Sequence, residues 1–386
     1  MKMNRVSNQD IKKVNRNQIY RYVVKYEKVS KPDIASTLSI SMPTVLQNIK
    51  ELKERGLIRE VGAFESTGGR KAKVIAPIHD ASYAIGIDIT QNHISIALTD
   101  LSGNVLMHKR QYKPFMYERQ YFMELGELAA KFLSISNISE EQFLGFGFSI
   151  PGIVSSDNKR ITLSHALGIA DVPTNIFSQF IPYPCIFTND ANAAIIAEMY
   201  RIPERSTTVY LSLSNSVGGA IYLERSNNWD CGQVIDNLYF GDNNRSGEFG
   251  HMTLIPGGKK CYCGKVGCVD AYCTAKILST LTDGKLERFF KELSDGNEAF
   301  AKHWEDYISN LAIVINNLRM AFDCQVIIGG YVGSYIEPYI SYLHEKAAML
   351  NTLESNALYI KPCRYKVEAS ALGAALRHIE RFISTI

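Results

Sequence analysis

The spacing of apolar residues changes character near residue 80. Before that point the period is helical: Ile19, Tyr22, Val23 and Tyr26 recur within residues 17–29 as one apolar stripe. Ser30 is placed to cap a short second helix, with Pro32 in its first turn and Ile34, Ala35 and Leu38 facing inward. Ser-Ile-Ser at 39–41 breaks the pattern. Ser41 and Pro43 then open a third helix that runs to about Arg55 and stops at Gly56. Its inward stripe is Val45, Ile49 and Leu52, which leaves Thr44, Gln47, Asn48 and Glu51 on the opposite side. Two short helices, a tight turn and a third helix with a polar outer face predict a helix-turn-helix. Leu57–Val61, a Ser-Thr-Gly-Gly turn at 66–69 and Arg70–Ile75 predict a hairpin wing with Arg70 and Lys71 at its tip.

Beyond Pro77, with a boundary near 78–82, the pattern becomes that of strands. Tyr83–Ile89, His93–Thr99 and Val105–Tyr112 are β-rich runs, followed by a helix over about 118–134 and the strand Phe143–Ser149. Cys185–Thr188 is a short strand that delivers Asn189 and Asp190 to a helix beginning in Ala191–Met199. A second round opens with Thr207–Ser214 and Gly218–Glu224. It closes with a long helix over about 301–322, the strand Gln325–Ile328 and Gly329-Gly330. Two successive hairpin-then-βα units predict an α/β body with a duplicated plan and a cleft between lobes, a common place for a ligand. The expected division is a DNA-binding head at 1–80 and a two-lobed body at 82–386.

Charge sharpens this division. Residues 1–80 hold 16 Lys+Arg against 8 Asp+Glu, while the remainder holds 26 against 31. A basic head on a mildly acidic body fits a nucleic-acid-binding module joined to something else. With 46% hydrophobic and 21% charged residues and no apolar run of 18, the composition is that of a soluble globular protein without a membrane span. The N-terminal stretch has no apolar core of a signal peptide, so the cytoplasm is the expected compartment and the eight cysteines are expected to be reduced or metal-bound.

The strongest local signal is His251-x9-Cys261-x-Cys263-x4-Cys268. Three thiolates and an imidazole within eighteen residues suit a tetrahedral zinc ion, and the glycines at 257, 258, 264 and 267 let the chain fold around it. A closed set of four ligands has no open position, so the zinc is expected to be structural. Cys273, five residues on, is an alternative ligand.

At this point the chain resembles the ROK family (repressors, open reading frames and kinases), and most of all its NagC/XylR-type repressors. The likeness is carried by Gly247-Glu248-Phe249-Gly250-His251, by Cys261-Tyr-Cys-Gly-Lys-Val-Gly-Cys268-Val-Asp270, and by Asn189-Asp190-Ala-Asn-Ala-Ala194. Leu52 to Ala72 looks like the head of the repressor branch. The resemblance implies a winged helix-turn-helix followed by an actin-like (ribonuclease H-like) two-lobed sugar-kinase fold. It also implies that Asn189, Asp190, Glu248 and His251 hydrogen-bond sugar hydroxyls, with His251 shared with zinc. Asp270 stands where the family usually has Glu, as a further expected sugar ligand.

The family's kinases bind phosphates on two glycine-rich turns. Here those stretches read Asp88-Ile89-Thr90-Gln91-Asn92 and Ser214-Asn215-Ser216-Val217-Gly218-Gly219. Side chains crowd both, so no ATP site and no catalytic residue is expected, with Asp190 a vestigial general base. The expected protein is a repressor of carbohydrate-utilisation genes whose partners are operator DNA and a sugar effector. It would act as a homodimer or a dimer of dimers. Thr44, Gln47 and Asn48 are the base-reading candidates, and Lys50, Lys53, Arg70 and Lys71 the backbone contacts. The alternatives are a bifunctional sugar kinase with a DNA-binding head, or a regulator answering to a partner protein or a phosphosugar.

Overall fold

The computed structural model describes residues 8–63, 73–202, 204–224 and 234–386. Three helices open it: α1 (Asn8–Tyr26), α2 (Lys31–Leu38) and α3 (Met42–Glu54). The Ser30 hydroxyl accepts from the Asp33 amide while Asp33 accepts from the Ser30 amide at 3.0 Å, a reciprocal cap on α2. Ser41 caps α3, and Ser39 makes the turn between the two helices in the left-handed region. Strands β1 (Ile58–Ala63) and β2 (Lys73–Pro77) pair antiparallel. The turn joining them, with Arg70 and Lys71, lies outside the described residues. Val29 bridges Ile75 and ties the α1–α2 connection to β2.

Helix α1 departs from the single stripe read in the sequence. Ile19, Tyr20, Val23 and Val24 are all buried, whereas Tyr26 is half exposed. The reason is that α1 packs on two sides, against α3 and against the last helix of the body. A helix buried on two faces carries more apolar surface than one stripe. It ends where Glu27 turns left-handed at φ 64°.

Asn48 also corrects the sequence reading. It is 3% exposed, and its amide donates to the Thr44 carbonyl at 2.8 Å. Lying three residues from Val45 and four from Leu52, it falls inside the buried face of α3 and presents no edge to a groove.

The first lobe comprises β3 (Tyr83–Ile89), β4 (His93–Asp100), β5 (Val105–Tyr112), α4 (Arg119–Ile135) and β6 (Phe143–Ile150). A small antiparallel flap follows, formed by β7 (Ile153–Val154), β8 (Arg160–Ser164) and β9 (Ile169–Pro173). The short α5 (Asn175–Ser178), β10 (Cys185–Asn189) and α6 (Asp190–Met199) complete the lobe. Its sheet runs β10-β6-β3-β4-β5, parallel across the first three and antiparallel across the rest.

The second lobe repeats the plan. Its strands β11 (Thr208–Leu213) and β12 (Val217–Tyr222) form a hairpin. The helices α7 (Asp270–Cys273), α8 (Ala275–Ser279), α9 (Leu286–Ser294) and α10 (Glu298–Phe322) follow. Then come β13 (Gln325–Gly329), α11 (Gly330–Gly333), α12 (Ile340–Ala348), β14 (Ile360–Pro362) and α13 (Ala369–Thr385). Its order β12-β11-β13-β14 matches the first sheet less one edge strand among the described residues; Leu238 meets Tyr222 only as an isolated bridge.

The last helix, α13, crosses back onto the first lobe. Gly86 and Gly147 let its backbone lie directly on β3 and β6: a Cβ there would fall 1.7 Å from the Ala371 carbonyl oxygen and 1.9 Å from that of Ala374. Gly373 does the same between α13 and α6, where a Cβ would meet the Ala193 carbonyl oxygen at 1.6 Å. Helices α6 and α13 are therefore packed backbone to backbone in the body's core. No helix among the described residues is long and apolar enough to cross a membrane.

Candidate functional site

The cleft is organised at the start of α6. Asn189 ends β10 and caps the helix, its Oδ1 accepting from the Asn192 amide at 3.0 Å. Its Nδ2 donates to the Gly152 carbonyl (3.1 Å) and to Asp190 Oδ1 (3.0 Å), which fixes the two side chains relative to the flap. Burial pushes the Asp190 carboxyl up to about 7, and Asp88 close by adds to the rise. Asp88 is itself buried and accepts from Ser149 Oγ at 2.6 Å, with burial lifting it to about 6. Burial also raises Glu248, which precedes a 3-10 turn at Phe249–His251.

Two cavities meet these residues. One, of about 230 Å³, is lined by Gly152, Asn189, Asn192, Gly218 and Glu248, with Arg377 of α13 in its wall. The other, of about 290 Å³, is lined by Asp88, His165, Asp190, Ser212 and Tyr262, with Ser370 of α13. Consecutive residues Asn189 and Asp190 thus serve adjoining cavities. His251 lies behind Tyr262: its Nε2 is 3.4 Å from the tyrosine hydroxyl, and the rings of His165, His251 and Tyr262 meet edge-on at 5.5–6.2 Å. His251 and Asp270 line neither cavity. Asp270 Oδ1 instead accepts from the Val217 amide at 2.5 Å, tying α7 to the start of β12. Asn192, His165 and Tyr262 were not singled out as ligands in the sequence, although Asn192 and Tyr262 lie inside the Asn189–Ala194 and Cys261–Cys268 motifs.

The four expected metal ligands do converge. One ligand atom each from His251, Cys261, Cys263 and Cys268 lies within 4.8 Å of the others. The sulfurs of Cys263 and Cys268 are 3.8 Å apart. Two thiolates at about 2.3 Å from a tetrahedral ion stand about 3.8 Å from each other. His251 Nδ1 is buried without a hydrogen-bond partner, an atom that a metal would satisfy. The donor set therefore fits a metal ion. Gly267 permits the loop: at φ 77° it passes so close that a Cβ would sit 1.9 Å from the Ile255 carbonyl oxygen. Cys273 is no alternative ligand, being fully buried between the helices beneath, where its carbonyl accepts from Tyr307.

Of the two turns that differ from phosphate-binding loops, the first closes on itself and the second is tied to the start of α11. Thr90 Oγ1 donates to the His93 carbonyl at 3.1 Å and accepts from its amide at 3.0 Å. Ser214 Oγ accepts from the Tyr331 amide at 3.3 Å, and Tyr210 accepts from the Gly330 amide at 3.2 Å. Across the cleft, Arg110 donates to the Tyr331 hydroxyl at 3.2 Å, its guanidinium 5.2 Å from the ring centre. Within these turns the amides of His93 and Val217 are engaged by side chains, of Thr90 and Asp270, while Thr90, Gln91, Ser214, Asn215 and Ser216 line the larger cavity.

On the head, the exposed face of α3 is Met42, Leu46, Gln47 and Lys50. Thr44 is half-buried, its hydroxyl 2.8 Å from that of Ser41. Gln47 donates to Glu51 at 2.8 Å, Lys50 pairs with Glu54 at 3.8 Å, and Lys53 reaches Glu60 of β1 at 3.4 Å. Leu46, 47% exposed, was missed because a leucine in a helix reads as core.

A duplicated strand–helix plan, a cleft at the first residues of α6 and a fourfold His/Cys cluster define an actin-like sugar-kinase fold. The model of the ROK family matches residues 84–380, and the chain belongs to that family. It is 24% identical over 387 residues to the xylose repressor of Bacillus spizizenii, with 97% of each chain covered. Among solved structures it is similar to a ROK family transcriptional regulator described as a homolog of the Escherichia coli MLC protein. That match has a TM-score of 0.74 at 17% identity and covers 97% of both chains. The ROK hexokinase of Thermus thermophilus matches with a TM-score of 0.59 at 24% identity, covering 76% of this chain and 97% of that one.

Proposed function

We propose that this protein is a DNA-binding transcriptional regulator of carbohydrate genes, acting as a repressor, whose operator affinity is set by a sugar held at the start of α6. The observation that carries the reading is the pairing of two features in one chain. Three helices, two of them capped by serines, and a two-stranded antiparallel sheet expose Leu46, Gln47 and Lys50 on α3. The body keeps Asn189, Asp190 and Glu248 around its cavities while side chains stand where the family's kinases have glycine in the two phosphate turns. Full-length similarity to a xylose repressor supports the same reading.

In this reading residues 1–80 form a winged helix-turn-helix, with α3 in the major groove and the β1–β2 hairpin as wing. Leu46 meets thymine methyls, Gln47 reads a base edge once released from Glu51, and Lys50 and Lys53 meet phosphates with Arg70 and Lys71. In the body, Asn189, Asp190 and Glu248 pair with sugar hydroxyls, and unmatched hydroxyl positions reject the wrong sugar. His251 orients Tyr262 and His165 toward the sugar. His251, Cys261, Cys263 and Cys268 would hold a zinc ion, which would supply a closed structural crosslink for the loop between β12 and α7. Asp270 supports the site by holding Val217. Two copies would place two α3 helices on a roughly palindromic site.

The test starts with DNA fragments selected from a random pool by the wild-type protein, titrated with a panel of pentoses, hexoses and their phosphates. The expected result is tight, salt-dependent binding that one sugar changes at least tenfold, with no phosphorylated product when ATP is added. Sugar-dependent ATP turnover with no sugar effect on DNA would establish the kinase instead.

A further inference from the structure

The two helices packed backbone to backbone, α6 and α13, share an unusual placement. Both begin at the effector cavities and both end on α1 of the head. At the cleft, α6 contributes Asp190 and Asn192, and α13 contributes Ala369, Ser370 and, two turns on, Arg377. Ser370 Oγ donates to the Asp190 carbonyl at 3.1 Å, so the two helix starts are joined there. They are joined again further along. Buried Glu198 of α6 accepts from the amides of Arg364 and Tyr365, at 2.9 and 3.0 Å, in the segment leading into α13.

At the other end each helix grips the head. Arg201, just past α6, donates to the Val24 carbonyl at 3.2 Å and pairs with Glu27. Glu27 also meets His79 at 2.9 Å, at the connection between head and body. On α13, Glu380 is 1% exposed and receives both terminal nitrogens of Arg21, at 3.2 and 3.0 Å. The Ile383 carbonyl accepts from Asn17, and that of Ile386 from Arg16 at 2.8 Å. Arg16 pairs in turn with Glu51 of α3, whose other oxygen holds Gln47. A continuous set of hydrogen bonds therefore runs from α13 to the outer face of α3.

We infer that the α6–α13 pair is the lever by which the occupied cleft repositions the head, with Arg201 and Glu380 as the positioning residues at its head end. This rests on the reading of the cleft as a sugar sensor. The two helices are about 15 and 25 Å long, enough to cross the body from cleft to head. A close-packed pair moves as one piece, because side chains that could absorb a shift are absent where Gly373 meets Ala193. Effector affinity that differs between two placements of the pair then appears as different DNA affinity, and the coupling is reciprocal.

The experiment compares the wild type with the double variant Arg201→Met, Glu380→Gln. Titration uses D-xylose and the sugar panel, with a pool-selected DNA fragment. The variant should bind the sugar within about twofold of wild type in the absence of DNA, while the factor by which sugar changes DNA affinity falls to below twofold. Retention of the full wild-type factor would overturn the lever. A second arm needs no ligand. Hydrogen exchange should rise in the variant both along α1 and at the far ends, in residues 190–195 and 370–374. A rise confined to α1 would overturn the proposal even if no sugar affects DNA binding, an outcome that would separately defeat the sensor reading. If the double variant does not fold, Glu380→Gln alone and Arg201→Lys carry both arms.

Discussion

Glu380, on the last helix of the body, holds Arg21, on the first helix of the head, through two hydrogen bonds in a nearly dry setting. The ion pair joins residues 359 positions apart and makes the head part of the body's core. Ile19, Tyr20 and Val23 accordingly belong to the same apolar cluster as Leu372, Leu376 and Ile379. Removing one partner of a buried pair costs roughly 3–5 kcal/mol because the other charge stays buried. Glu380→Ala is therefore expected to destabilise the protein far more than Glu54→Ala, whose exposed pair with Lys50 is worth less than about 1 kcal/mol. Chemical denaturation of both variants checks this.

Asn48 and Leu46 separate a structural role from the proposed recognition role on α3. Asn48→Ala loses a buried hydrogen bond and should cost about 1 kcal/mol of stability without altering which bases are preferred. Leu46→Ala and Gln47→Ala should leave the melting temperature within about 1–2 °C, in line with the small effect of surface substitutions, and weaken binding to selected DNA. Lys50→Ala should reduce the salt dependence by about one phosphate contact. Binding measured at several salt concentrations distinguishes the three.

The carboxyls of Asp88 and Asp190 are both raised by burial, to about 6 and about 7. A carboxyl raised on folding binds protons that the unfolded chain, with a value near 4, has released. Stability of the sugar-free protein should therefore fall as pH rises from about 4 to about 7, where the native state holds more protons. Asp190→Asn should flatten the upper part of that fall and Asp88→Asn the lower part. Thermal melts across this range, with a sugar-saturated control, test the sign.

The His251–Cys261–Cys263–Cys268 cluster predicts one zinc per chain by elemental analysis. Cys268→Ser or a strong chelator should remove the metal, lower the melting temperature and weaken sugar binding through Tyr262 and His165. Cys273→Ser should leave the metal content unchanged, since that thiol lies in the helical core. Loss of zinc from the Cys273 variant would mean that the cluster had been assigned wrongly.

The capping serines 30 and 41, the β1–β2 pairing and the duplicated sheets were legible because each rests on local chemistry: a side chain capping its own helix, or alternation along a strand. The metal cluster was legible for the same reason, with three of its ligands within eight residues. What was not legible depends on contacts between distant segments. Tyr20 reads as off the stripe of α1 until the body packs over it, and Asn48 reads as polar surface until Thr44 accepts its amide. Asp270 was expected at the sugar because the motif places it there. The Val217 amide claims one of its oxygens instead, a partner 53 residues away.

In the proposed function, sugar in the cleft and DNA on α3 are thermodynamically linked. The most direct measurement is the DNA affinity of the wild type and of Asp190→Ala across a full range of sugar concentration, on one selected DNA fragment. Sugar should shift wild-type affinity at least tenfold to a plateau, about 1.4 kcal/mol of coupling or more. Asp190→Ala should bind the DNA normally but respond only at far higher sugar concentration, if at all. A wild-type affinity that stays flat at every sugar concentration, for every sugar that binds, would contradict that linkage.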